Sequence, residues 1–211
     1  MIVLINPNST ASMTQAMLRT ARDAAPDAQF EGWTSHDGPP AIQGEADGRL
    51  AAAPLLKLVA EASDRGASAI IIGCFDDTAL DAAHKIADCP VVGIGQAAYH
   101  FAALTGERFS VVTTLDVSVP ILRANIIRYG LDRHLVNVRA SGIPVLALEE
   151  QSKSASDQVI AEVQTAVRED NVQSVVLGCG GMVDIVQEAA RAGPIRLIDG
   201  VRAAACFAGQ L

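Results

Sequence analysis

The chain is poor in the features that mark nucleotide enzymes, nucleic-acid binders and membrane proteins. Aromatic residues make up only 4% of its 211 positions. No G-x-x-x-x-G-K-[ST] and no G-x-G-x-x-G stands at a strand end, so nucleotide binding has no support; Gly93-Ile94-Gly95 is too short to serve. No Lys/Arg run exceeds a dipeptide, and 24 acidic against 16 basic residues leave a formal net charge of −8. Neither nucleic acid nor an anionic membrane is therefore an expected partner. No stretch approaches the ~20 uninterrupted apolar residues of a membrane span. The opening Met1-Ile2-Val3-Leu4-Ile5-Asn6 lacks the basic region and cleavage site of a signal peptide, so a cytoplasmic protein is expected.

Histidine is scarce as well. The four residues at 36, 84, 100 and 134 share no sequence context, which removes the base that a cysteine hydrolase or amidotransferase needs. A Cys-x5-Arg phosphatase loop fails too, because the sixth residues after Cys74 and Cys179 are Leu80 and Ile185. The cysteines at 74, 89, 179 and 206 form no C-x-x-C and have no closely spaced His, so neither a zinc clip nor a disulfide framework is expected. They read as free thiols. No metal and no cofactor is expected, and the partner implied is a small-molecule substrate.

What the chain does have is a large apolar fraction, 50%, arranged as short apolar runs alternating with helix-like segments. Val3 to Ile5 reads as a buried strand that ends in a Pro- and Asn-rich turn into a helix over roughly 10–24. A strand over Gln29 to Ser35 precedes a polar Gly/Pro loop, His36 to Pro40, and an Ala/Leu-rich helix follows to about Arg65; by composition alone the polar and charged residues of 36–47 are candidates to close over the cleft. Ala69 to Ile72 is a strand delivering Gly73-Cys74, with a helix from about Thr78. Val91 to Ile94 is another strand, followed by a helix after Gly95. In the second half Phe109 to Thr113, Val136 to Arg139, Ser174 to Leu177 and Arg196 to Ile198 read as strands with helices between. Strands apolar on both faces that alternate with helices specify a parallel α/β architecture.

The chain also nearly repeats itself. Ala69-Ile70-Ile71-Ile72-Gly73-Cys74 matches Ser174-Val175-Val176-Leu177-Gly178-Cys179 at an offset of 105. Pro90 and Gly95 have counterparts in Pro194 and Gly200 at offsets of 104 and 105, and Val3 to Asn6 resembles Val111 to Thr114 at 108. Landmarks recurring in order at a nearly constant offset predict two pseudo-symmetric α/β lobes with a cleft between them. The expected boundaries are 1–94 plus 196–211 for the first lobe and 95–195 for the second, with a homo-oligomer as the expected assembly.

Ligands of open parallel sheets bind at the carboxyl ends of strands, where Cys74 and Cys179 both sit. A helix N-terminus beside each is expected to stabilise a thiolate. Opposed thiols suit one chemistry in particular: one thiolate removes a proton from a carbon acid while the other thiol returns a proton to the opposite face, inverting the centre. Cys89 and Cys206 read as filler.

Ile5-Asn6-Pro7-Asn8-Ser9-Thr10, Gly73-Cys74-Phe75-Asp76-Asp77, Val111-Val112-Thr113-Thr114 and Leu177-Gly178-Cys179-Gly180-Gly181-Met182 together resemble the aspartate/glutamate/hydantoin racemase superfamily, nearest its hydantoin and allantoin branch. The resemblance covers essentially the whole chain. It implies two pseudo-symmetric lobes, cofactor-independent two-base racemisation, and Cys74 and Cys179 as the two catalytic cysteines. Retention of both argues against the decarboxylase relatives, which keep one. Asn6, Asn8, Thr114 and the residues after the cysteines (Phe75, Asp76, Gly180 and Gly181) are the candidate substrate contacts, with Phe75, Gly180 and Gly181 offering backbone N–H groups to an oxyanion. Where the branch often has Gly-Asp-Pro-Gly, this chain has Asp76-Asp77-Thr78-Ala79. The acidic pair either caps a helix or sets which polar groups of a substrate are accepted, and a carboxylate there opposes a Cys74 thiolate. The expected substrate is a five-membered cyclic ureide, a 5-substituted hydantoin or allantoin, because the strand-end loops carry no Arg or Lys. A free aspartate or glutamate racemase, a non-catalytic small-molecule binding protein of the same fold and a thiol hydrolase of cyclic imides stand as alternatives.

Overall fold

A computed structural model describes residues 1–104, 106–150, 153–185 and 195–211. The apolar runs form two four-stranded parallel sheets. The first contains β1 (Ile2–Asn6), β2 (Phe30–Thr34), β3 (Ala69–Ile72) and β4 (Val91–Gly93), in the order β2-β1-β3-β4. The second contains β5 (Phe109–Thr113), β6 (Leu135–Ala140), β7 (Ser174–Leu177) and β8 (Arg196–Asp199), in the equivalent order β6-β5-β7-β8. The central strands are buried along their whole length. That is why Ile-Val-Leu-Ile, Ala-Ile-Ile-Ile and Ser-Val-Val-Leu show no polar face. Among the described residues no helix is long and apolar enough to cross a membrane.

Helices α1 (Ala11–Ala24), α2 (Glu45–Asp64), α3 (Leu80–Ile86) and α4 (Ile94–Leu104) accompany the first half. In the second half come α5 (Val119–Arg128), α6 (Val145–Glu149), α7 (Lys153–Asp170) and α8 (Gly200–Ala208). The last helix of each half leaves its own sheet: α4 packs on β7 and β8, and α8 packs on β3, β4 and α1. The two exchanged helices lie against each other. Small residues allow this, since Ala97, Ala98 and Ala102 on α4 and Ala203, Ala204, Ala205 and Ala208 on α8 are all buried. At Gly200 an added Cβ would lie 2.5 Å from the Ile94 carbonyl oxygen. One continuous core therefore runs from Leu4 and Met17 through Tyr99 to Phe109 and Val176. Separate outer cores sit under α2 and under α7.

Two expectations need correction. Residues 196–211 do not travel together with the first lobe. β8 pairs in register with β7, from Ser174 opposite Arg196 to Leu177 opposite Asp199, and only α8 returns. The helix expected from about Thr78 begins at Leu80, because Asp77 and Ala79 adopt left-handed backbone with φ of 50° and 53° and cannot continue a right-handed turn. Pro194, the expected counterpart of Pro90, lies outside the described residues.

Candidate active site

In each sheet the middle strands, β1 beside β3 and β5 beside β7, end at the point where connections depart to opposite faces. Such switch points open a crevice at the strand carboxyl ends. The two halves build it with the same backbone bond. The Gly73 N–H donates to the Ile5 carbonyl at 2.8 Å, and the Gly178 N–H donates to the Val112 carbonyl at 2.8 Å. The following residues, Cys74 and Cys179, are thereby displayed from equivalent positions. Both thiols line one cavity, together with Asn8, Phe75, Asp76, Thr114, Gly180 and Gly181. Close approach at the strand ends depends on glycine: a Cβ at Gly180 would meet Met17 Sδ at 3.0 Å and the Gly73 carbonyl at 3.4 Å.

The thiols are not set at long-helix N-termini. Cys179 opens a 3-10 turn over Gly180–Met182, and its sulfur accepts from the Gly181 N–H at 3.4 Å. Cys74 leads into the left-handed segment ahead of α3, and its sulfur accepts from Thr78 Oγ1 at 3.3 Å. Burial outweighs both donors. It pushes Cys179 up to about 12, and it pushes Cys74 higher still, reinforced by the nearby Asp76 carboxyl. Neither thiol therefore has the long-helix N-terminus expected to favour its anion, and burial works against the anion at both. Asp76 is itself pushed up by burial, to about 7, which limits how strongly it opposes a thiolate.

Asn8 reaches the cavity with an amide group still able to donate. Its Oδ1 accepts from Asn6 Nδ2 and from the Thr10 N–H, both at 2.9 Å, while its Nδ2 meets only the weakly accepting Met13 Sδ at 3.4 Å. Asn6 is not brought to the cavity wall. Its Nδ2 serves Asn8 Oδ1, the Thr10 carbonyl and Thr14 Oγ1, and its Oδ1 accepts from the Asn8 N–H. Fully buried, Asn6 shapes the turn and holds Asn8 in place. Phe75 is buried edge-on to Tyr99 with ring centroids 5.5 Å apart, so its side chain belongs to the core as well as to the wall.

The acidic pair divides its roles. Asp77 is a cap, but of α4 and not of the helix that follows it. Its carboxylate accepts from the Gly95 N–H at 3.0 Å and from the Tyr129 hydroxyl at 2.8 Å. It thereby ties the Cys74 loop to α4 and to the end of α5. Burial raises it to about 7 despite these donors. Asp76 keeps its carboxyl in the cavity wall, with Oδ2 buried and without a hydrogen-bond partner.

Sequence reasoning missed the rest of the enclosure. Met13, Met17, Ile42, Thr113, Ser118 and Val145 also line the cavity, and Gln43 Oε1 accepts from the Val145 N–H at 2.8 Å to join the 36–47 loop to α6. Two of these carried a signal: Ile42 lies in the 36–47 stretch, and Thr113 in the Val111-Val112-Thr113-Thr114 motif. Among the described residues no Lys or Arg lines this cavity.

Comparison with known proteins agrees over the full length. The Asp/Glu/hydantoin racemase family model matches residues 2–208. A hydantoin racemase of Rhizobium meliloti is 41% identical, over 100% of this chain and 88% of the relative. Among solved structures, allantoin racemase from Klebsiella pneumoniae superposes with a TM-score of 0.95 at 36% identity, covering 100% of this chain and 86% of that one. Allantoin racemase from Pseudomonas fluorescens gives 0.94 at 33% identity, covering 100% and 89%.

Proposed function

This chain belongs to the Asp/Glu/hydantoin racemase family and is a racemase; from that premise we propose that it inverts the C5 centre of a five-membered cyclic ureide, a 5-substituted hydantoin or allantoin, with Cys74 and Cys179 as the two bases. The observation that carries this reading is the pair of matched Gly-Cys strand ends, hung from equivalent backbone bonds and opening on one cavity.

In the proposed reaction, one cysteine as thiolate takes the C5 proton, and the C–H electron pair passes into the adjacent carbonyl as an enolate. The opposing thiol then protonates the other face of C5 and is left as the thiolate. The pair ends with its roles exchanged, so the same site works in both directions. The N–H groups of Phe75 and Gly180, with the Asn8 amide, are the donors proposed for the enolate oxygen, since the Gly181 N–H faces the Cys179 sulfur. A neutral ring suits a cavity that no cation among the described residues lines, because an amino acid carboxylate would bring a second negative charge against the developing enolate.

The substrate assignment is tested by polarimetry on enantiopure allantoin, 5-benzylhydantoin and L-aspartate, each against a protein-free control. Rotation is expected to decay with protein on at least one of the cyclic ureides and to persist on aspartate. Decay on aspartate alone would transfer the assignment to the amino acids.

A further inference from the structure

The catalytic cavity does not stand alone. A second and larger groove, with about 900 Å³ of empty space, lies between the first turns of α2, the 76–82 segment and α5. Its floor includes Ala52, Leu80 and Ile121. The cations at its rim are already engaged, Arg49 with Glu45 at 2.5 Å and Arg128 with Asp81. Among the described residues Asp76 is the one that lines both spaces. Its backbone is fixed from the second lobe, where Asn125 Nδ2 donates to the Asp76 carbonyl at 2.8 Å. The side chain is left at the junction with Oδ2 buried and unpartnered.

A buried polar atom without a partner is costly, and a native structure that keeps one in a cavity wall invites a ligand group to complete it. Resting on the cyclic-ureide reading above, we propose that Asp76 is the specificity-determining residue for the group on C5: the ring stays between the thiols, its substituent points past Asp76 toward the outer groove, and the site favours a ureido substituent over an alkyl or aryl one.

The chemistry fits either protonation state. A carboxylate accepts two N–H groups from a urea. A carboxylic acid accepts one N–H and donates its O–H to the urea carbonyl. An isobutyl or benzyl group does neither, and it leaves Oδ2 orphaned on binding. Sites built to hydrogen-bond a substrate group discriminate strongly against analogues that lack it. The position of Asp76 two residues beyond Cys74 couples this choice to the reacting carbon.

The test compares kcat/KM for allantoin and for 5-isobutylhydantoin, which lacks substituent N–H groups, in the wild type and in Asp76→Ala and Asp76→Asn. The wild type is expected to favour allantoin by about tenfold or more. Asp76→Ala should shift the ratio at least about tenfold toward the isobutyl compound, and Asp76→Asn, which keeps an acceptor and a donor, should shift it less. An unchanged ratio in Asp76→Ala, with both rates falling together or neither falling, would overturn the inference. If that variant does not fold, a wild-type preference for the isobutyl compound, or no preference, overturns it equally. A wild type inert on both rings would instead defeat the cyclic-ureide reading itself, which keeps the two failures apart.

Discussion

Cys74→Ser and Cys179→Ser are each expected to lose racemase activity by about 10³-fold or more, in both directions of the reaction. The symmetry of the effect follows from the two-base scheme. Inversion from either enantiomer needs one sulfur as base and the other as acid, so no direction survives with a single thiol. A serine hydroxyl in the same burial is a far weaker acid than a thiol and supplies neither role at neutral pH. Both residues are half-buried and serine is smaller, so the variants should unfold close to the wild type. Initial rates from each pure enantiomer, with thermal unfolding as the control, make the measurement. A variant that keeps a tenth of the wild-type rate in either direction would remove its cysteine from the chemistry.

Gly95→Ala should be nearly as damaging, although residue 95 does not line the catalytic cavity. A Cβ there would lie 2.4 Å from the Phe75 carbonyl oxygen and 2.8 Å from Asp77 Oδ2. Both belong to the loop that follows Cys74. The first of these atoms is backbone, so relief requires moving the loop, and the Gly95 N–H bond to Asp77 is strained with it. Overpacking of this kind costs about 1–3 kcal/mol, and displacing a reactive group by an ångström lowers turnover by about 100-fold. Gly48→Ala is the matched control for stability alone, because Gly48 also lines the outer groove. It lies within α2, nothing stands within 4 Å of the added Cβ, and helix propensity favours the change by up to about 1 kcal/mol. Thermal unfolding of both variants, with kcat of Gly95→Ala against the wild type, makes the check. Gly95→Ala matching the wild type in stability and turnover would show that the loop is not held as described.

The repeat carried most of what was legible in the sequence. Equal strand-end motifs at a constant offset imply equal strand positions in two sheets, and the orders β2-β1-β3-β4 and β6-β5-β7-β8 are that equality. The same offset made Gly200 the counterpart of Gly95, and hence β8 the counterpart of β4. Assigning 196–199 to the first lobe therefore contradicted the repeat's own logic, whereas the exchange of α4 and α8 has no sequence signature beyond their alanines. The two candidate thiols were readable because each follows a glycine at a strand end at matched positions of the repeat. Asn6 misled because its neighbour does the reaching: in an Asn-Pro-Asn turn one amide must satisfy the backbone, and only the fold shows which. Local sequence suggests a helix dipole at each thiol, while burial, which raises both, comes from segments distant in the chain and is not readable there. Met17, Ser118 and Val145 come from distant segments and carried no signal of their own.

Two-base inversion across the cleft is tested most directly by proton NMR and chiral separation of enantiopure allantoin in D2O, stopped within the first few per cent of conversion. The account predicts that the inverted product carries deuterium at C5, while the unconverted enantiomer retains its proton, because the hydrogen is taken by one sulfur and the deuterium supplied by the other. Deuterium accumulating equally in substrate and product from the start would mean a single group serving both faces, and would contradict it.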